Sequence, residues 1–126
     1  MLVTSVSESL KQGTLDIFDI HGEIEVIPNF IDAKKYSTSF TDCQRSNMAT
    51  EDERIVTHIS NFRKVKRIPD VIKIFSKIQL EIPSKLIMVG EGPEKEGAER
   101  LCEELGISNK VIFLGNSNEI DKILCF

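Results

Sequence analysis

"KLIMVGEGPEKEGAERLCEELGISNKVIFL", residues 85–114, carries two short apolar runs on either side of an amphipathic stretch. The runs "LIMV" (86–89) and "VIFL" (111–114) are apolar at every position, as strands buried on both faces require. Between them Ala98, Leu101, Cys102 and Leu105 recur at helical spacing. Pro93 suits a first helical turn, and Gly106 suits a helix stop. The stretch therefore predicts strand 85–89, helix 93–105 and strand 110–114, a β-α-β unit of a parallel sheet.

Upstream, the same alternation repeats. "RIVTHIS" (54–60) reads as a strand. Residues 69–81 read as a helix, with Val71, Ile74, Phe75, Ile78 and Ile82 as its apolar stripe. Downstream, "NEIDKIL" (118–124) begins another helix. The order predicts an α/β fold with a partial Rossmann-like parallel sheet and helices covering it.

The first third of the chain is less regular. Strands are expected at 2–6 and 24–28, with a helix over 7–18 whose face holds Leu10, Thr14, Ile17 and Phe18. Ser5 or Ser7 can cap that helix. Residues 36–53 are polar and aperiodic and read as a mobile surface loop. The opening strand and helix have no evident place in the later sheet. Three parallel strands would also leave an apolar edge. The sequence thus reads as a segment of a larger two-domain protein. Its parts would be 1–28 (end of one domain and crossover), 29–53 (linker and polar loop) and 54–126 (Rossmann-like domain).

Composition narrows the function. With 126 residues and a net charge of −4, bulk attraction to nucleic acid is not expected, and any anion site must be local. No apolar run reaches the ~20 residues of a membrane span, and no secretory signal precedes the first strand. These features point to the cytoplasm. The cysteines are Cys43, Cys102 and Cys125, an odd count without a CxxC pair, so neither a disulfide framework nor a metal site is expected.

Against that acidic background, "SNFRKVKR" (60–67) places Arg63, Lys64, Lys66 and Arg67 between a strand and a helix. Open α/β sheets bind ligands beyond the carboxyl ends of their strands. Cations at a helix start oppose the helix dipole unless an anion is present. The cluster reads either as a diphosphate site or as a solvated charge run. "VGEGPE" (89–94) lacks the third glycine of a dinucleotide fingerprint, having Lys95 there, and Glu91 would repel a pyrophosphate. Gly90 and Gly92 read first as a tight turn and second as a close approach to a nucleotide. No GxxxxGK[ST] loop is present. His58 reads as a structural strand residue with no Ser or carboxylate beside it in sequence, and His21 as a solvated turn residue.

The motifs "VIPNFID", "RKVKRIPDVIKIF", "LIMVGEGPE" and "VIFLG" occur in the order and spacing of the group 1 retaining glycosyltransferases of GT-B fold. The chain resembles that family over nearly its whole length. The wording "VIPNFID…HISNFRKVKR" is closest to the subgroup that transfers N-acetylglucosamine to L-malate in bacillithiol biosynthesis. Phe30 and Arg67 stand where the family usually has glycine.

The resemblance implies the donor-binding half of a GT-B enzyme, with a UDP-sugar as donor and L-malate as acceptor. It implies Arg63 and Lys66 at the donor diphosphate, and Gly90, Gly92, Leu114, Gly115 and Asn116 near the nucleotide. It implies no cofactor and no metal. The acceptor domain and the family's E-x7-E segment, with its sugar-binding glutamates, would lie outside this segment. The chain alone is then not expected to turn over substrate, and it is expected to aggregate or to self-associate into a homo-oligomer through the open sheet edge. The reading in another class is a non-catalytic α/β nucleotide-binding or interaction module. A third possibility is a group 1 enzyme with another sugar and acceptor.

Overall fold

The computed structural model describes residues 2–34 and 45–124. The chain divides into two compact units, 1–37 and 38–126.

In the first unit, strands β1 (Val3–Ser5) and β2 (Ile24–Val26) pair in parallel, with Val3 opposite Ile24. Helix α1 (Glu8–Ile17) connects them. Of the two candidate caps, Ser7 is the one used: its Oγ accepts the Leu10 N–H at 3.1 Å. Ile24 and Ser5 are buried, but α1 buries nothing, and Leu10, Ile17 and Phe18 are exposed. The expected apolar face of this helix exists and is uncovered within its own unit.

The second unit is a three-stranded parallel sheet, ordered β3 (Arg54–Ile59), β4 (Ser84–Val89), β5 (Val111–Gly115). Helices α3 (Ile68–Glu81) and α4 (Lys95–Glu104) make the crossovers, as the alternation predicts. Both pack on one face, where Ile68, Ile72, Phe75, Ala98 and Cys102 meet Leu86, Met88 and Phe62. The other face carries Ile87 and Val89, covered by Met48 of α2 (Arg45–Met48) and Ile123 of α5 (Ile120–Ile123). β4 is therefore buried on both sides, which explains its uninterrupted apolar run. Each such fully buried side chain contributes about 1.5–3 kcal/mol relative to exposure.

Three expectations need correction. The apolar stripe of α3 is rotated: Ile68, Ile72 and Phe75 are buried, while Ile74 and Ile82 are 59% and 48% exposed. Ile68 begins the helix with Pro69 in its first turn, so counting the face from residue 69 missed the first buried turn. Pro93 lies two residues ahead of α4, in the turn that precedes it. Within the stretch expected to be loop, residues 45–48 form a helical turn whose Met48 is buried under the sheet. The remainder of that loop through residue 44, with Cys43, lies outside the described residues, as does Cys125.

The helix stop at Gly106 is as expected. Its φ is +67°, its N–H donates to the Glu103 carbonyl, and Ile107 N–H donates to the Cys102 carbonyl at 2.9 Å. This double closure satisfies carbonyls left open by the last turn of α4.

Candidate functional site

All three strands of the second unit end at the same edge, and their loops are bonded to one another there. Ser60 N–H donates to the Val89 carbonyl at 3.0 Å, Phe62 N–H to Glu91 at 2.9 Å, and Gly90 N–H to Gly115 at 2.8 Å. Glu94 N–H donates in turn to the Phe62 carbonyl at 3.0 Å. An open cleft of about 370 Å³ sits on this platform, lined by Ser60, Asn61, Gly90, Asn116, Ser117 and Asn118 among others. It lies where an open α/β sheet presents its ligand site.

The two glycines of "VGEGPE" are explained by this interlock. A Cβ on Gly90 would stand 1.8 Å from the Ser60 carbonyl oxygen, and one on Gly92 would stand 2.5 Å from that of Phe62. Both positions are closed by backbone, so the glycines let two loops touch; Gly90 also lines the cleft. Gly115 has φ +69° and lies against the Glu91 carboxylate. Leu114 is the extra residue of a bulge, because Met88 pairs with Phe113 and Val89 with Gly115. Leu114 is partly exposed and is not among the cleft-lining residues, whereas Asn116 is. Glu91 does not stand as a free charge: Lys95 Nζ donates to its Oε1 at 2.6 Å, which raises the Lys95 pKa.

The cationic segment continues directly from the cleft. Arg63 is extended, and a 3₁₀ turn, Lys64–Lys66, leads into α3. Arg67, at the helix cap, has φ 51° and ψ 44°. It is the one non-glycine with positive φ among the described residues. Its Nε donates to Asp70. Arg63, Lys64 and Lys66 are exposed and form no ion pair among the described residues. Three cations without a carboxylate partner at the start of α3 suit an anion. Lys66 and Arg67 also line a groove of about 480 Å³ along α3; neither they nor Arg63 line the cleft itself.

The expectation that His58 has no Ser or carboxylate beside it is not met. Its Nε2 lies 2.8 Å from Ser60 Oγ. Residues two apart on a strand share a face, so Ser60 was available to be read in that role. Burial, and secondarily the charge of Lys66, lower the His58 pKa. Cys102 is buried, and burial with Glu99 and Glu103 pushes its thiol up to about 11, which makes it inert packing. Among the described residues no group of His, Cys, Asp or Glu is placed to hold a metal ion. None of their helices is long and apolar enough to cross a membrane.

Comparison with known proteins decides the family. Residues 40–125 match the family described as glycosyl transferases group 1. The chain belongs to that family. A curated relative, N-acetyl-alpha-D-glucosaminyl L-malate synthase of Bacillus anthracis, is 39% identical over 124 residues, covering 98% of this chain and 32% of the relative. Among solved structures, a glycosyltransferase from Rickettsia africae matches with a TM-score of 0.79 at 20% identity, over 96% of this chain and 35% of that one. Anabaena HepE, solved with UDP and glucose, matches with a TM-score of 0.78 at 23% identity, over 96% and 34%. The fold of this group 1 glycosyltransferase chain is thus a partial Rossmann-like half of GT-B type. It spans about a third of the length of the curated relatives it matches.

Proposed function

We propose that the chain is the donor-binding part of a glycosyltransferase that moves N-acetylglucosamine from UDP-N-acetylglucosamine to L-malate with retention. The supporting observation is the 39% identity to the malate-directed relative across 98% of the chain. It is joined by three exposed cations that have no carboxylate partner among the described residues, just beyond the end of β3. In this reading the nucleotide occupies the cleft beside Gly90 and Asn116, with its diphosphate turned toward Arg63 and Lys66. As the bond between the anomeric carbon and the diphosphate oxygen breaks, negative charge grows on the leaving UDP. Arg63 and Lys66 stabilise that charge, a stabilisation worth more in the transition state than in the ground state. The acceptor belongs to the other domain of a two-domain enzyme, which reconstitution in a full-length protein would supply.

The test is calorimetric titration of UDP-N-acetylglucosamine, UDP-glucose and UDP into the chain and its variants, with turnover measured in a full-length enzyme carrying this segment. Arg63→Ala and Lys66→Ala should each lower turnover by roughly 10²–10³-fold, the scale for losing one preorganised charge-stabilising donor. Lys64→Ala should do much less. UDP affinity should fall in the same order. If all three variants keep wild-type affinity and turnover, the cluster is a solvated charge run and the reading is wrong. Preference for a different sugar nucleotide, or turnover without malate dependence, would move the chain to another specificity in the family.

A further inference from the structure

The "VGEGPE" turn sets a carboxylate where the proposed ligand must cross. In the sheet order β3-β4-β5 the loop after β4 is the middle one. Arg63 and Lys66 follow β3, and Asn116 follows β5. A ligand that reaches from those cations to Asn116 therefore passes over the β4 loop, which carries Gly90 and Glu91. Backbone bonds hold this loop from both sides. The Glu91 carbonyl accepts the Phe62 N–H at 2.9 Å, one residue before Arg63, and Gly90 N–H donates to the Gly115 carbonyl at 2.8 Å. The Glu91 side chain is turned toward β5. Its Oε1 lies 3.0 Å from where a Cβ on Gly115 would stand, and the next residue, Asn116, lines the cleft.

A bare carboxylate at that crossing opposes a diphosphate, because like charges repel across a Debye length of about 8–10 Å. The structure supplies its counter-charge from the next element. Lys95, the first residue of α4, donates from Nζ to Glu91 Oε1 at 2.6 Å. The two side chains are 30% and 42% exposed, so the pair contributes little to stability. Its effect falls on the field at the cleft. The cleft lining itself carries no charged side chain, so charged groups at its rim set the field inside it. We propose that Lys95 is a specificity-determining residue of the donor site: by pairing with Glu91 it cancels a negative charge that would exclude a diphosphate, without binding the ligand itself. This rests on the donor-site reading given above.

The probes are UDP-N-acetylglucosamine, which carries the diphosphate, and uridine, which has the same nucleoside and no charge. Binding to the chain is followed by calorimetry for the first and by NMR shift titration for the second. Lys95→Met keeps the aliphatic stem and removes the charge. It should weaken UDP-N-acetylglucosamine binding about three- to tenfold at low salt, the scale for one exposed charge acting on an anion within about 10 Å. In about 1 M salt, where the Debye length is about 3 Å, the ratio of wild-type to variant affinity should approach unity. Uridine should bind Lys95→Met as it binds the wild type. The double variant Glu91→Gln/Lys95→Met should recover wild-type affinity for the sugar nucleotide.

Failure of the double variant to recover would mean that Lys95 holds the ligand directly, and overturns the inference. Equal losses for uridine and the sugar nucleotide would show a role in shaping the cleft alone, and overturn it too, as does unchanged affinity in Lys95→Met. Should Lys95→Met fail to fold, Glu91→Gln alone decides. It should bind the sugar nucleotide as tightly as the wild type or up to about threefold more tightly, and weaker binding overturns the inference. Each of these results leaves the donor-site reading standing. Absence of any UDP-N-acetylglucosamine binding to the wild-type chain overturns that reading, and this inference with it.

Discussion

Replacing Arg67 with glycine should stabilise the protein, although it deletes an ion pair. The backbone there has φ 51° and ψ 44°, a conformation that costs an L-residue roughly 1–2 kcal/mol and glycine essentially nothing. Three smaller terms act beside it. Glycine returns about 0.4–1 kcal/mol of chain entropy to the unfolded state. The Arg67–Asp70 pair, with the two side chains 78% and 43% exposed, is worth a few tenths of a kcal/mol (roughly 0.2–0.5). Removing a cation from the start of α3 gives back about 0.3–0.5 kcal/mol against the helix dipole. The last two nearly cancel, so the net gain is about 0.5–1 kcal/mol, or roughly 2–5 °C in Tm for a chain of this size. Urea unfolding followed by circular dichroism should show a higher midpoint at unchanged m-value. Arg67→Ala supplies the control, because it removes the same charge but keeps the Cβ. It should be neutral or slightly destabilising. Equal stabilisation by alanine and glycine would show that charge, not backbone strain, governs the position.

Gly90→Ala should cost about 2–4 kcal/mol, because the new Cβ would stand 1.8 Å from the backbone carbonyl of Ser60; a loss of unfolding free energy in urea below about 1 kcal/mol would contradict the interlock. Cys102, buried and with its thiol pushed up to about 11, should resist a disulfide reagent at about pH 8 until urea unfolds the chain, and labelling at a rate typical of a free thiol would refute its placement. Glu53 is held below its usual pKa, first by the Lys110 hydrogen bond and next by the Thr50 N–H. A depressed carboxylate contributes stability above its unfolded pKa of 4.5 that is lost as pH falls through the folded value, so the wild type should lose more stability on acidification than Glu53→Gln; parallel curves would remove the pair from the account.

The order of elements in the second unit was legible because its chemistry is local. Runs such as "LIMV" and "VIFL" have no polar face, so they read as strands buried on both sides, and Gly106 marked a helix end by the one conformation it supplies cheaply. The cationic cluster was legible too, since charge and its place between a strand and a helix are both written along the chain. Other features depend on partners far away in sequence. Met48 lies in a polar stretch and is buried only because Ile87 and Val89 present an apolar face to it. Ile74 and Ile72 are equally apolar, and the packing of α3 decides which one is covered. Gly90 and Gly92 could mean a turn or a nucleotide until the Ser60 and Phe62 carbonyls are seen to close on them. Composition and periodicity therefore determined the strands, the helices and the place of the cationic cluster. Tertiary structure alone decided which faces are buried and which side chains meet, because those depend on distances between segments that no local pattern encodes.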